Sequence, residues 1–278
     1  MSNSLRVFIS VDMEGISSIV HGGQTGGEPG EYEKGRTLMT ADANAAIEGI
    51  LSMGTAEIVV SDAHGGSCNL RPEELHEAAV LIRGSPKPLT MMSGIGAGFD
   101  AAVFIGYHAK KGTKNAILDH TISGGTVDSI RINDIEVGET GINAAIAGYY
   151  GVPLVFLSGD LAVSREAEFL IPGITTVAVK EAISRTAARC LNPKKSRELI
   201  RQGVVKALQR RREIKPFVFK PPVKIDAAFV NSLMADVVEP MPLTERIDGR
   251  TIRIVHNDYV QAFRALRVAI TLAGTAAR

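Results

Sequence analysis

Two acidic residues two positions apart, Asp12 and Glu14, are the first residues in the chain whose types could do chemistry. They follow an apolar run, and in an extended backbone their carboxylates leave the same face of the chain. Two carboxylates this close repel each other unless a cation or a proton lies between them. An Asp-x-Glu pair is also common on exposed strands, so it indicates a metal site only if further ligands join it.

Three more residues could complete such a site. His64 and His108 each follow a short apolar run, and Glu139 stands at the start of a predicted helix. Imidazole with carboxylate is the ligand set of hydrolytic Zn²⁺, or of Mn²⁺ or Co²⁺, whereas Mg²⁺ prefers oxygen ligands alone. Each residue also has an ordinary interpretation, as a packed histidine or as an acid that complements a helix dipole. Together the five residues could hold two metal ions, with Asp12 as the bridging carboxylate.

The elements that would position these residues alternate between strands and helices. We predict strands at 5–11, 58–60, 101–105 and 154–157, helices at 40–53 and 138–150, a hairpin turning at Asn133-Asp134, and a long loop at 17–35. This alternation predicts an α/β fold with a mainly parallel sheet flanked by helices. In such sheets ligands bind beyond the carboxyl ends of the strands, which is where Asp12, His64 and His108 would lie.

The character of the chain changes near residue 185. A basic helix is predicted over 193–212, followed by a proline-rich stop, a strand, a helix, a hairpin over Asp248-Gly249 and a last helix over 259–272. We therefore predict two domains, a metal-binding α/β catalytic domain at 1–185 and a smaller α+β domain at 186–278.

Composition excludes several classes of function. Lys and Arg number 31 against 30 for Asp and Glu, and the formal net charge of +1 offers no footprint for nucleic acid or an anionic membrane. No apolar stretch has the length of a membrane span, and the first residues lack a signal-peptide core. Two cysteines imply no disulfide framework. We expect a cytoplasmic protein with neither nucleic-acid nor membrane partners.

Four short segments around the candidate ligands are similar to those of a known family. They are residues 10–15, 61–64, 106–109 and 137–143, and they occur in the same order as in the zinc D-aminopeptidases of the DppA type, peptidase family M55. The resemblance also takes in Tyr149-Tyr150, Lys180 and residues 183–185, and it covers nearly the whole chain. It implies a two-zinc site whose ligands are Asp12, Glu14, His64, His108 and Glu139.

The resemblance also implies a role for His120 as a catalytic residue that does not bind metal. From the sequence alone His120 is merely a histidine in a loop, but beside a metal pair it could move protons or stabilise a tetrahedral intermediate. By the same resemblance we expect a short peptide substrate that begins with a D-amino acid, such as D-Ala-D-Ala, and a homo-oligomer, specifically a decamer. We expect Cys68 to be an inert thiol and His21 to be a solvated loop residue.

Two other functions remain open at this point. One is a metal-dependent amidase or deacylase that acts on another small amide. The other is a non-catalytic metal-binding scaffold, in which protein groups would fill every coordination position. The loop that carries Lys110, Lys111 and Lys114 departs from the family pattern, as does the glycine-rich loop after Glu14. Substrate preference is therefore the part of the resemblance that transfers least.

Overall fold

The computed structural model describes residues 4–276. Its strands are β1 (Leu5–Val11), β2 (Ala56–Asp62), β3 (Ala79–Ile82), β4 (Ala101–Tyr107), β5 (Val127–Ile132), β6 (Ile135–Glu136), β7 (Leu154–Asp160), β8 (Thr175–Ser184), β9 (Ala187–Cys190), β10 (Val223–Phe229), β11 (Thr244–Arg246) and β12 (Thr251–His256). Its α-helices are α1 (Pro29–Leu51), α2 (Glu139–Tyr149), α3 (Leu161–Leu170), α4 (Pro193–Gln209), α5 (Ser232–Val238) and α6 (Tyr259–Thr275). Within 4–276, no helix combines the length and the apolar character needed to cross a bilayer.

The larger sheet has seven strands in the order β3-β2-β1-β4-β7-β8-β9. Every neighbouring pair in it is parallel except β8 with β9. Strands β4 and β7 are buried along their whole length, as expected when helices cover both faces of a parallel sheet. The predicted α/β class, with a mainly parallel sheet flanked by helices, is confirmed.

The register of this sheet brings three polar strand ends to one edge. Val11, the last residue of β1, is aligned with Asp62 in β2 and with Ile105 in β4. The residues that follow these strands therefore leave the same carboxyl edge, which is the usual place for a ligand site in an open α/β sheet.

Helix α1 begins eleven residues earlier than the sequence pattern indicates. It starts at Pro29, so the predictions of a loop through residue 35 and of a helix that begins at residue 40 were wrong. Thr40 lies inside the helix, where its Oγ1 donates to the carbonyl of Arg36 at 2.9 Å. Gly35 resembles a loop residue in the sequence. In the structure it is a helical residue that must lack a side chain, because a Cβ there would lie 2.2 Å from the carbonyl oxygen of Gln24. This glycine serves close packing against the preceding loop and does not interrupt the helix.

A second sheet of five antiparallel strands, in the order β11-β12-β10-β5-β6, packs against α5 and α6. The predicted hairpin between β5 and β6 is confirmed, and Asn133 and Asp134 at its turn have positive φ angles of 48° and 67°. This smaller sheet brings α6 close to the carboxyl edge of the larger one.

The predicted domain boundary at residue 185 falls between β8 and β9, which pair with each other in the larger sheet. The smaller sheet takes β5 and β6 from one side of that boundary and β10–β12 from the other. Helix α4 packs against α1, on the larger sheet. Whether 1–185 and 186–278 behave as separate units stays a prediction.

Candidate metal centre

The candidate site begins at Asp12, the first residue after β1. Its backbone N–H donates to the carbonyl of Ile105 at 2.8 Å, which extends the pairing of β1 with β4 past the end of the strand. Gly106 allows this approach, because it has a φ of +72° and a Cβ there would lie 2.3 Å from the carbonyl oxygen of Asp12. The side chain of Asp12 is thereby directed into a buried space beyond the sheet edge, and the residue is 2% exposed.

One group of possible metal ligands consists of Asp12, Glu14 and His64. Nδ1 of His64 lies 3.0 Å from Glu14 Oε2 and 3.5 Å from Asp12 Oδ1. Nε2 of the same ring lies 2.8 Å from the carbonyl oxygen of Thr25 and donates to it. This bond selects the tautomer in which Nδ1 can present a lone pair to a cation, an arrangement typical of metal-ligating histidines.

A second group consists of His108, His120 and Glu139. Nε2 of His108 lies 3.5 Å from Glu139 Oε1, and Nε2 of His120 lies 3.7 Å from the same oxygen. The two rings stack, with centroids 4.0 Å apart and planes inclined by 14°. In both rings Nδ1 bonds a backbone carbonyl, that of Ala109 for His108 and that of Leu118 for His120. Both Nε2 atoms therefore face the carboxylate.

The two groups adjoin through Asp12. Oδ2 of Asp12 lies 3.4 Å from Nε2 of His108, and neither of these buried atoms has a hydrogen-bond partner among the described residues. Buried polar atoms without partners are rare in folded proteins, because each one costs free energy. A cation placed between the carboxylate and the imidazole would satisfy both atoms. The donor set of oxygen and imidazole nitrogen fits zinc.

The protonation behaviour of the cluster indicates that it requires positive charge. Burial, with the nearby charge of Glu14, raises the pKa of Asp12 to about 6. Burial alone would also raise the pKa of Glu139, but the charges of His108 and His120, with hydrogen bonds from His108 and Ile122, together outweigh it and bring that pKa to about 2. Burial disfavours the charged form of His108, yet Glu139 and Asp12 hold the pKa of this imidazole well above its usual value. Without a metal, protons on the imidazoles would supply the positive charge.

The structure brings together all six residues that the sequence singled out: Asp12, Glu14, His64, His108, His120 and Glu139. It also places His120 where it could itself bind a metal, whereas the sequence analysis expected a residue that does not. The exposed Cys68 stands outside both groups of possible ligands.

The sequence did not indicate which side chains hold the loop after Glu14, although the family resemblance takes in one of them, Lys180. Lys180, in the middle of β8, is 2% exposed and donates to the carbonyls of Glu14, Ile16 and Ile19 at 2.6, 2.8 and 2.5 Å. Asp42 in α1 accepts from both the N–H and the hydroxyl of Ser17, at 3.0 and 2.7 Å. The sequence signal was a lysine in a strand about half of whose residues are apolar, but the neighbouring residues in the sequence do not indicate what this lysine contacts.

Two further carboxylates at strand ends support loops near the cluster. Asp62, the last residue of β2, accepts from the backbone of Asn69 and Leu70 at 2.6 and 2.7 Å and so shapes the loop that carries His64. Asp160 caps α3 and also accepts from the N–H of Ile117 at 2.7 Å, close to His120. Neither aspartate belongs to a group of possible ligands.

A cavity of about 210 Å³ opens directly onto the cluster. Its lining includes Asp12, His64, His120, Glu139, Phe263 and Arg267. It is smaller than the roughly 300–1,000 Å³ cavities that hold drug-sized ligands, which favours a small substrate.

Residues 5–268 match the model of the M55 peptidases, described as D-aminopeptidase. The chain belongs to this family. An M55 relative, the D-aminopeptidase of Bacillus subtilis (strain 168), is 38% identical over 270 residues, which cover 97% of this chain and 98% of the relative.

A solved structure agrees with this membership. The Zn-dependent D-aminopeptidase DppA from Bacillus subtilis, described as a self-compartmentalizing protease, matches the fold with a TM-score of 0.93 at 38% identity. The match covers 97% of this chain and 98% of the other. The M55 resemblance that four short segments indicated is confirmed.

Proposed function

We propose that this chain is a zinc-dependent aminopeptidase that cleaves the N-terminal peptide bond of short peptides beginning with a D-amino acid, such as D-Ala-D-Ala. Membership of the M55 family supports the reaction class. The observation that carries the proposal is the pair of adjoining carboxylate–imidazole groups at the floor of a small cavity, joined by the unpartnered atoms of Asp12 and His108.

Five residues would hold two zinc ions: Asp12, Glu14, His64, His108 and Glu139. Asp12 would contribute to both groups of ligands, because one of its oxygens faces His64 and the other faces His108. When bound, the ions would polarise the scissile carbonyl and lower the pKa of the attacking water.

The remaining chemistry falls to the chain's own groups. The small cavity confines the N-terminal residue of a peptide and orients its first peptide bond toward the cluster. His120 is fixed through Nδ1 by the carbonyl of Leu118, so its Nε2 faces the cavity. From there Nε2, once protonated, would donate to the negative oxygen of the tetrahedral intermediate or pass its proton to the leaving amine.

The decisive experiment combines metal analysis with a substrate panel. Purified protein should contain about two equivalents of zinc and release alanine from D-Ala-D-Ala much faster than from L-Ala-L-Ala. N-acetyl-D-Ala-D-Ala, which lacks the free amine, should not be cleaved, whereas an amidase or deacylase would accept an acylated amine. Protein that contains no metal after gentle purification, or that prefers the acylated peptide, would contradict the proposal.

We further propose that the chain works as a homo-oligomer, specifically a decamer, in the cytoplasm. The relative described as self-compartmentalizing supports assembly. Cys68 and Cys190 are both exposed free thiols, which suits a reducing compartment. Light scattering should give about ten times the mass of one chain; a monomer would contradict the assembly.

A further inference from the structure

Arg267 is a half-buried cation in the wall of the cavity that opens onto the metal cluster. It lies on α6, four residues after Phe263, so both side chains project from the same face of the helix. Phe263 is 2% exposed and belongs to the core, and Arg267 interrupts that otherwise apolar face. A cation at such a position requires an explanation.

Among residues 4–276 the guanidinium of Arg267 has no hydrogen-bonding partner, and the negative charge that acts on it is that of Glu139. Glu139 is already engaged, since its Oε1 accepts from the N–H of Ile122 at 2.7 Å and faces His108 and His120. By contrast, Arg253 in the smaller sheet forms two bonds of 2.7 and 2.8 Å with Asp226. Burial lowers the pKa of Arg267, which indicates that water no longer solvates it fully.

A half-buried guanidinium without partners is costly, and a carboxylate or phosphate removes that cost by accepting two parallel hydrogen bonds. Carboxylates and cationic side chains line different parts of the cavity. Its floor carries the carboxylates of Asp12 and Glu139, and its wall carries Arg267 and Lys87. Nζ of Lys87 is already bonded to the hydroxyl of Ser61 and the carbonyl of Asp62, which leaves Arg267 as the better placed donor.

A short peptide would place its N-terminal bond at the floor, where that bond would be cleaved. In a dipeptide the C-terminal carboxylate lies at most about two residues, or roughly 7 Å, from the N-terminal amine. Resting on the function proposed above, we propose that Arg267 is a specificity-determining residue that binds the C-terminal carboxylate of the substrate and favours dipeptides.

The test compares D-Ala-D-Ala with its C-terminal amide, which keeps the amine and the scissile bond but lacks the carboxylate charge. In the zinc-loaded wild-type protein, kcat/KM should be about tenfold to a hundredfold higher for the acid than for the amide. This is the effect expected when a hydrogen bond between charged groups is lost. In Arg267→Met this ratio should fall to near one, with the change mainly in KM. Arg267→Lys keeps the charge but loses the two parallel N–H donors of the guanidinium, so it should retain part of the ratio.

Arg264→Met is the matched control, because Arg264 is an exposed arginine on the same helix that does not line the cavity at the cluster. This variant should keep the wild-type ratio. Zinc content and melting temperature are measured for every variant to show that the fold and the metal site are intact. If Arg267→Met does not fold, the comparison of Arg267→Lys with wild type still decides the question.

The outcomes separate this inference from the proposed function. A wild-type ratio near one, or a full ratio retained in Arg267→Met, would overturn the role of Arg267 while leaving the aminopeptidase proposal intact. If neither peptide is cleaved, the proposed function fails. Calorimetry with a D-Ala-D-Ala analogue whose scissile amide is reduced to an amine then tests Arg267 directly: binding about tenfold tighter for the acid than for its amide is expected, and equal binding overturns the role.

Discussion

At the scale of single residues, the two stacked histidines differ in exposure although both face Glu139. His108 is buried, at 1% exposed, whereas the His120 side chain keeps 21% of its surface and lines the cavity. A buried histidine among carboxylates suits a ligand, and a histidine open to the cavity suits a group that acts on substrate. Because both rings lie within one group of possible ligands, only a measurement of bound metal separates their roles.

The first prediction concerns His120→Ala. We expect the variant to keep about two equivalents of zinc while kcat for D-Ala-D-Ala falls by about a hundredfold or more, since general acid–base catalysis contributes 10²–10⁴. Metal analysis and steady-state kinetics measure the two quantities. His256→Ala, which changes a histidine remote from both groups of possible ligands, serves as the control. Loss of one zinc equivalent would instead make His120 a ligand, and unchanged kcat would remove its catalytic role.

At the scale of elements, the loop after β1 depends on two side chains from distant parts of the chain. Lys180 reaches it from β8 and Asp42 reaches it from α1, so Glu14 sits on a segment that is fastened at several backbone atoms. Rigid support of this kind is what a metal site needs if its ligands are to be held in place.

The second prediction is that Lys180→Met destabilises the protein by about 3 kcal/mol or more, because three buried carbonyls lose a charged donor. Chemical denaturation measures this loss. Hydrogen exchange should also quicken at residues 14–19, because the loop loses its anchor. Lys215→Met, at an exposed lysine, should change stability by less than about 0.5 kcal/mol. Equal stability of the two variants would show that Lys180 does not support the loop.

The third prediction concerns the pH dependence of stability at Asp42. Burial raises the pKa of Asp42 from 3.8 to about 6, despite the hydrogen bonds from Ser17 and the charges of Arg197 and Lys180. The folded state then holds this proton more tightly than the unfolded state. The stabilising contribution is complete below pH 3.8 and is lost as the pH rises through 6.

Asp42→Asn cannot titrate, so its free energy of unfolding should rise relative to wild type by about 2 kcal/mol between pH 4 and 7. Urea denaturation at several pH values, with a chelator present in all samples, measures the difference. Glu73→Gln, which alters an exposed acid, should show the same pH dependence of the free energy of unfolding as wild type. A constant difference between Asp42→Asn and wild type would show that Asp42 does not titrate in this range.

At the scale of the whole molecule, the site lies where the two sheets meet. Strand ends of the larger sheet supply the floor, and α6, which packs on the smaller sheet, supplies Phe263 and Arg267 in the wall. Metal bound at the cavity floor would therefore stabilise the contacts between the two sheets as well as the loops that carry the candidate ligands.

The fourth prediction follows from binding linkage. Zinc at about a hundred times its dissociation constant should add about 2.7 kcal/mol of stability, which raises the melting temperature by roughly 5–10 °C over chelator-treated protein. Thermal denaturation with and without chelator measures the shift. Mg²⁺ should not replace zinc, because it disfavours imidazole ligands. A melting temperature that responds to neither chelator nor zinc would contradict a folded-state metal site.

Much of the candidate site was predictable because the positions of its residues follow directly from local pattern. Apolar runs that end at Asp12, His64 and His108 indicate strands of one parallel sheet, and parallel strands deliver their ends to one edge. The start of α1 was not predictable, because Gly35 reads locally as a loop residue and only its contact with Gln24 explains it.

The sequence by itself determined the α/β class, the M55 family and the set of donors at the cluster, since these depend on local periodicity and on short ordered segments. Only the tertiary structure decided which nitrogen of each histidine faces the carboxylates, that Lys180 fastens the Glu14 loop from 166 residues away, and that Arg267 stands in the cavity wall. These are contacts between residues far apart in the chain. Their partners are set by how the two sheets pack, and no local spacing in the sequence records that packing.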